Sequence, residues 1–503
     1  MTAAATAEPT STKQRRTEAG FRRILMLFSI AAGLGVMGHF GMLVWAENSF
    51  TGPECVVAAN SMMLARDGTL YYDLSHYPYT VSAYTPVFYL LQASLYKLGL
   101  PAYAAGRLIS FLAMLGILVL IRNLVILYTG DRYCAWMGTL LAASSALLLS
   151  WGTVGQVDSL AQLFALAAFH QYSRYAVREE KTLLWAAGFA LLAFFTKQTM
   201  LACPAAIFVL LWFERRRTAI QFGAGLAAVA AVLALSLNAA TDGRFISNTV
   251  FANMQPYSLD KLFQHLKFAS LSAGPLALVA VAGFRPVLRS RGRALFVYLG
   301  FALAEFLIIA PKVGSDLNYQ IESTILLILC ASMALYALNF FALSFANRRT
   351  WITLLQLPLA VFLVVNLRIT LQDLIVRFSS EQAARTEIAQ LRPWLSDGGR
   401  VLSADYNALE RLRGRMDAEM LIYKLLVDAR MINPEPVRRD IARGGFSTIL
   451  LMQDVNHTDG AASVEISTLP AAQLEEVRQH YKLVEQIPVP GIYVYKPLAW
   501  GKK

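Results

Sequence analysis

Long apolar runs alternate with short polar clusters through the first three quarters of the chain. A helix needs about 20 apolar residues to cross a bilayer's hydrocarbon core, somewhat fewer when packed within a bundle. By that measure spans are predicted at 24–46, 104–128, 134–150, 159–176, 182–196, 199–213, 218–240, 268–284, 294–310, 321–345 and 351–370, eleven in all. Arg15, Arg16, Arg22 and Arg23 precede the first run; Arg122 with Arg132, Arg174 with Arg178, Arg215 to Arg217, Arg285 to Arg293, and Arg348 with Arg349 follow every second run after it. The positive-inside rule then makes residues 1–23 a cytoplasmic tail, and an odd number of spans puts the C-terminal segment outside. The stretch 182–213 is too long for one crossing and is interrupted by Thr196, Lys197, Gln198 and Pro204, so it reads as two. The run from Ile24 to Ala46 is too long for a signal-peptide core and reads as a retained first span.

Past residue 370 the pattern changes. Asp417 to Ala429 has helical spacing, while Arg400 to Ser403, Thr448 to Met452 and Ile492 to Tyr495 are apolar and β-rich. Residues 371–503 therefore read as a small α/β domain. Within the membrane module, 24–370, the first outer loop 47–103 is long, and its segment Val87 to Leu98 suits a helix lying in the interface. The fold class expected is mainly α: a polytopic membrane bundle carrying a small C-terminal α/β extracytoplasmic domain.

Composition agrees with this division. Of 503 residues 56% are hydrophobic and 16% charged, against about 45 to 50% apolar in a soluble domain, which argues against a water-soluble enzyme. Residues 371–503 hold 17 basic and 17 acidic side chains, so the whole +12 net charge lies in residues 1–370. There it sits in short clusters between apolar runs, as topology determinants do, and no nucleic-acid partner is expected. Cys55, Cys134, Cys203 and Cys330 are scattered and form neither a disulfide nor a zinc framework.

Ionisable groups near membrane spans are expensive, which makes each a functional candidate. On the outer side these are Glu47, Glu54, Asp67, Asp73, His76, Asp158, Lys197, Glu305, Lys312, Asp316 and Glu322. They come from separate loops at one membrane level, which suits a lipid-linked substrate with an anionic head. Glu54, in GPECVVAAN, can serve as a general base toward an acceptor hydroxyl, or simply favour a helix N-terminus. Asp158, in WGTVGQVD, is a second site carboxylate or the cap of a helix from Ser159. Lys197, in FFTKQTM, can pair with a phosphate or snorkel to the interface. Asp316, Asn318 and Tyr319 in PKVGSDLNYQIE offer polar groups to a cavity or a solvated turn, and Tyr84 with Pro86 in AYTPVFY is structural before it is catalytic. No P-loop, GxSxG, HExxH or GxGxxG motif stands in a suitable context.

A first span, then GPECVVAANSMMLARDGTLYYDLSHYPYTVSAYTPVFYLL, the arginine-containing GRLISFLAMLGILVL, GQVDSLAQLFALAA, FFTKQT and GSDLNYQIE, together resemble bacterial members of the glycosyltransferase C superfamily. The family 39-like enzymes, related to protein mannosyltransferases and the lipid A aminoarabinose transferase, are the nearest in pattern. The motif order covers residues 20–340, and VLSADYNALERLRGRM resembles the extracytoplasmic domain of these proteins. The resemblance implies a bacterial inner-membrane enzyme that transfers a sugar from a polyprenyl-phosphate donor to an acceptor outside the cytoplasm (lipid, polysaccharide or protein), with inversion. It implies Glu54 as base, Asp158 as second acidic position, Lys197 near the donor phosphate, and Tyr84, Asp316, Asn318 and Tyr319 lining the cavity. A lone Glu54 stands where other members carry an Asp-x-Asp or Asp-Glu pair, so a divalent metal cofactor stays open. A transporter or flippase of a lipid-linked saccharide is the alternative, against which stand the outer-face clustering of the acidic groups and the absence of a repeat.

Overall fold

The computed structural model describes residues 34–290, 292–341, 348–395, 398–404, 417–456, 469–488 and 491–499. The expected cytoplasmic tail and the first ten residues of the first span lie outside them, as does most of the VLSADYNALERLRGRM segment. The first helix is described over Leu34–Leu43 (α1). There follow α2 (Gly52–Asp67), α3 (Val87–Lys97), α4 (Ala102–Thr129), α5 (Arg132–Ala143), α6 (Ala146–Gly152), α7 (Val157–Arg178), α8 (Leu183–Thr196), α9 (Ala202–Glu214) and α10 (Arg216–Ala240). Next come α11 (Arg244–Thr249), α12 (Leu259–Ser272), α13 (Gly274–Ala282), α14 (Phe284–Leu288), α15 (Arg293–Ile309), α16 (Ile321–Phe341) and α17 (Arg348–Leu395). The tail adds β1 (Val401–Ser403), α18 (Met420–Asp428), α19 (Glu435–Ala442), β2 (Thr448–Leu451), α20 (Ala471–His480), β3 (Tyr481–Ile487) and β4 (Ile492–Pro497).

A helix or helix pair stands at each predicted span, but the count of eleven does not follow. Among the described residues four helical segments are long and apolar enough to cross a membrane, and six if the pairs α5/α6, bent by 64°, and α12/α13, bent by 67°, each count as one. The short α8 and α9, 14 and 13 residues, reach only about 20 Å each at 1.5 Å per residue. They are separate helices, as the break at Lys197 predicts. Burial sorts the long helices: the apolar stretch of α16 is 83% buried and forms the bundle's centre, whereas that of α10 is 6% buried and faces outward. Ile121 of α4, Phe169 of α7, Ile207 of α9, Leu295 of α15 and Leu329 of α16 meet in one core.

The long α17 does not stop at residue 370; it runs on to Leu395, so the tail begins as a rigid continuation of the last membrane helix. Beyond it a four-stranded sheet has the order β1-β2-β4-β3, with β1 and β2 parallel and the remaining pairs antiparallel. The parallel pair requires a crossover, supplied by α18 and α19. Strand β3 was not anticipated: its sequence YKLVEQI buries only its two ends, so an exposed, charged edge strand hides from an apolar-run criterion.

The tail docks on the membrane module through shared cores. Cys55 and Ala59 of α2 pack with Leu391 and Leu395 of α17, Val401, Leu450 and Val494. The first loop adds backbone pairing: Tyr79 N donates to Asp417 O at 2.9 Å, and Glu419 N to Tyr79 O at 2.9 Å. Tyr79, Val81 and Ala252 are buried in the same core as Met420, Tyr423 and Tyr495. The guanidinium of Arg400 lies 4.4 Å from the Tyr77 ring centroid.

Candidate active site

Two buried ion pairs organise the end of the bundle beneath the tail. The first is built at the start of α2. Thr51 caps the helix by accepting from Glu54 N, and Pro53 in the first turn suits a position whose N–H has no helical partner. Glu54 thus leaves the first turn toward Arg107 of α4. Its Oε1 accepts from Arg107 Nε at 2.9 Å and Gly155 N at 2.8 Å; its Oε2 accepts from Arg107 Nη2 at 3.2 Å and Phe50 N at 2.7 Å. An ionised carboxylate offers about four acceptor sites, and all four are used. Arg107 completes its own fork by donating to Leu43 O, Ala46 O and Asn48 O. Both side chains are fully buried.

A close backbone approach makes this possible. A Cβ on Gly155 would meet the Gly106 backbone at 3.1 Å. Only with no side chain at either position can the turn before α7 press on α4 and direct the Gly155 N–H at Glu54.

The second pair joins three elements. Helix α7 begins at Val157 with Gln156 as its N-cap, so Asp158 does not cap a helix from Ser159 as the alternative reading held; it sits inside the first turn, where the helix dipole favours a negative charge. Its Oδ1 accepts from Lys197 Nζ at 2.6 Å and from Asn318 Nδ2 at 2.9 Å. Lys197 comes from the break between α8 and α9, and Asn318 from the 3₁₀ turn Leu317–Gln320 before α16. Lys197 Nζ also lies 4.2 Å from the Tyr319 ring centroid, a cation–π contact. All three polar side chains are buried, yet Asp158 Oδ2 and Asn318 Oδ1 make no hydrogen bond among the described residues. Buried polar atoms are nearly always satisfied, so such exceptions ask for a ligand.

Tyr319 of this cluster, though not Asp158, Lys197 or Asn318, lines a cavity of about 170 Å³, together with Tyr84 and Lys312, with Gly52, Pro53 and Val57 from α2, and with Glu419, Ile422 and Leu425 from the tail. Burial holds the Tyr84 hydroxyl well above its ordinary range, with Tyr319 and then Asp158 adding to the effect, so it stays protonated. A second cavity of about 840 Å³ adjoins it and shares Asn253, Gln255, Lys312 and Leu425.

Of the residues singled out from sequence, Asp158, Lys197, Asn318, Tyr319 and Tyr84 come together. Asp316 does not join them: it is exposed, and its Oδ1 accepts from Leu317 N at 2.7 Å, capping the turn. Glu54 is close in sequence to the cavity-lining Gly52, Pro53 and Val57, but its carboxylate is turned away to Arg107. A carboxylate with every acceptor site occupied and its charge matched has nothing to offer an incoming hydroxyl, so the base expected at Glu54 is not set up there. Other outer ionisable groups do local work. Glu305 accepts from Leu201 N and Ala202 N at the start of α9, Glu322 accepts from the Tyr298 hydroxyl, and Asp73 accepts from Ser75. Arg107, within a span, is not among the candidates read from the sequence, although an arginine in an apolar run is a signal in itself; Lys312 is among the outer ionisable groups but is given no role of its own there. Among the described residues no three His, Cys, Asp or Glu side chains gather as metal ligands. No disulfide joins the cysteines.

No family sequence model matches the chain, and no curated protein sequence matches it significantly. Solved structures do. ArnT from Cupriavidus metallidurans bound to undecaprenyl phosphate superposes with a TM-score of 0.63 at 13% identity, covering 96% of this chain and 98% of that one. The same protein in the apo state gives 0.64 at 14% identity, with 95% and 98% covered. The archaeal oligosaccharyltransferase AglB from Archaeoglobus fulgidus, in complex with an inhibitory peptide and a dolichol-phosphate, gives 0.55 at 12% identity, with 95% and 75% covered. Nearly the whole chain, membrane helices and tail together, thus shares the fold of ArnT and AglB.

Proposed function

We propose that the protein is an integral membrane glycosyltransferase that moves a sugar from a polyprenyl-phosphate donor to an acceptor hydroxyl at the tail-bearing face of the membrane, with inversion. The observation that carries this reading is the half-satisfied Asp158: one oxygen fixed by Lys197 and Asn318, the other buried and unpartnered among the described residues, in a cluster whose Tyr319 lines a cavity. The fold supports it too, since ArnT and AglB are structures described with undecaprenyl phosphate and dolichol-phosphate.

Asp158 takes the role of general base. The acceptor hydroxyl donates to Oδ2, its oxygen attacks the anomeric carbon, and the bond from that carbon to the phosphate oxygen breaks with its electron pair on the departing polyprenyl phosphate. The proton ends on Asp158. Lys197, whose ammonium is committed to Oδ1, positions the carboxylate instead of meeting the phosphate, and Asn318 fixes the same oxygen. Glu54 and Arg107 hold α2, which forms one wall of the cavity. The tail supplies the opposite wall through Glu419, Ile422 and Leu425.

In the proposed orientation the N-terminus is cytoplasmic and the tail lies outside the cytoplasm, in a bacterial inner membrane. A periplasm-dependent reporter should be active when fused after Lys503 and silent after Arg217; the reverse result overturns the orientation. For the reaction, purified protein in lipid nanodiscs is supplied with polyprenyl-phosphate sugars, and release of polyprenyl phosphate is followed by mass spectrometry alongside profiling of membrane glycolipids and glycoproteins with and without the protein. Loss of one glycosylated species together with donor turnover supports transfer. Movement of lipid-linked saccharide between leaflets without turnover replaces it with transport.

A further inference from the structure

Lys312 is a cation at this end of the bundle that the ion pairs among the described residues leave over. It sits in the turn after α15, clamped by the bridge between Tyr257 and Lys312 and by bonds from Ser258 N to Pro311 O at 2.7 Å and Val313 N to Pro256 O at 2.8 Å. Its backbone is therefore fixed, while its half-buried side chain makes no hydrogen bond or ion pair among the described residues. The anionic groups nearby are occupied: Glu419 accepts from Ile422 N at the start of α18, and Asp428 pairs with Lys424 at 2.8 Å. Burial, and then the charge of Lys197, pull the Lys312 ammonium below the ordinary lysine range. An arriving anion would relieve both effects.

The position matters as much as the charge. Lys312 belongs to the wall of both the 170 Å³ and the 840 Å³ cavity. The smaller one backs on Tyr319, whose ring carries Lys197 and thereby Asp158. The larger opens between Met254, 69% exposed, Tyr257, 66%, and Met431, 45%. Its rim continues onto Leu259 and Phe263 of α12, also exposed. A molecule with an apolar chain, an anion and a polar head in that order matches this sequence of surfaces.

Resting on the glycosyltransferase reading, we propose that Lys312 is the ligand of the donor's phosphate, with the isoprenoid chain at the larger cavity and the sugar in the smaller one. During transfer the phosphate changes from a singly charged diester to a monoester as it gains the electron pair of the broken bond. A cation held at that point binds the departing group more strongly than the donor, and so favours bond breaking.

The test measures binding of polyprenyl phosphate, polyprenol and inorganic phosphate to the full chain in nanodiscs, apart from any transfer assay. Wild type should bind polyprenyl phosphate more tightly than polyprenol. Lys312→Ala and Lys312→Gln should weaken polyprenyl phosphate about 10- to 100-fold, the range of a charge-assisted contact, and leave polyprenol unchanged; Lys312→Arg should stay near wild type. Unchanged binding in Lys312→Ala, or an equal loss for polyprenol, overturns the assignment. Equal competition by inorganic phosphate overturns its lipid half. Wild type that transfers sugar while Lys312→Ala binds normally sinks the site and leaves the enzyme reading standing; charge-dependent binding without any transfer does the opposite.

Discussion

The pairs Glu54–Arg107 and Asp158–Lys197 are alike in burial and charge and unlike in completeness. In the first, four donors meet four acceptor sites, and the guanidinium spends its remaining hydrogens on three carbonyls. In the second, one carboxylate oxygen takes both donors and the other takes none among the described residues. A closed pair can only hold structure together. An open pair has a directed acceptor in a dry place, which is what proton transfer from a hydroxyl requires. Burial and ionisability, the two criteria available from sequence, do not separate these cases; the tally of donors does.

The comparison breaks most visibly if the roles are exchanged. Asp158→Asn should lower transfer about 10²- to 10⁴-fold; it also leaves the buried Lys197 ammonium without its counter-charge, so melting is measured beside it and turnover is compared on the folded fraction. Should Asp158→Asn retain near-normal turnover while a folded Glu54→Gln is inactive, the base belongs to Glu54 after all. Next in size, Arg107→Met leaves the Glu54 carboxylate buried and uncompensated, a loss of about 3 to 5 kcal/mol to be read as a lowered melting temperature. The double variant Arg107→Met, Glu54→Gln should recover part of that loss; two losses that simply add would mean the side chains are not coupled. Gly155→Ala puts a Cβ against the Gly106 backbone and withdraws the turn from Glu54. It should cost about 1 to 3 kcal/mol, and wild-type melting would show that the turn can yield. Smallest is Tyr319→Leu, which removes the aromatic face under Lys197, worth about 0.5 to 2 kcal/mol. It should slow transfer by a corresponding few-fold or more without altering melting, and a matched fall in stability would mark Tyr319 as packing alone.

How much of this was legible in the sequence differs between fold and site. Each apolar run coincides with a helix or helix pair among the described residues, although only four to six of these are long and apolar enough to cross a membrane, and Lys197 with its neighbours marked the break between α8 and α9. The 64° bend carries only Ser144 and Ser145, a weak signal, whereas the 67° bend is marked by Gly274 and Pro275 directly after Ala273, a breaker signature inside what reads as one apolar run. Edge strand β3 was hidden by its charges. Asp158, Lys197, Asn318, Tyr319 and Tyr84 could be picked out because polar groups at the ends of apolar helices need a reason. Their pairing could not, since Asp158 meets partners 39 and 160 residues away. Glu54 shows the same limit from the other side: its partner Arg107 lay in plain view inside an apolar run, but nothing local says that a span arginine and a loop glutamate saturate one another.

The shared core between the first loop and the tail fixes an order of events during synthesis. Tyr79 and Val81 are made early, whereas their packing partners Met420, Tyr423 and Tyr495 are made more than 300 residues later. At 5 to 20 residues per second the ribosome needs roughly 20 to 70 s to reach them. Throughout that interval the loop has neither its strand-like partner at Ala418 nor a cover for its aromatic rings. The nascent protein is therefore open to proteases and to mispairing at this loop, and the last stretch to be translated is what ends the exposure. A chain stopped before the tail would present a helical bundle whose 170 Å³ cavity has one wall missing.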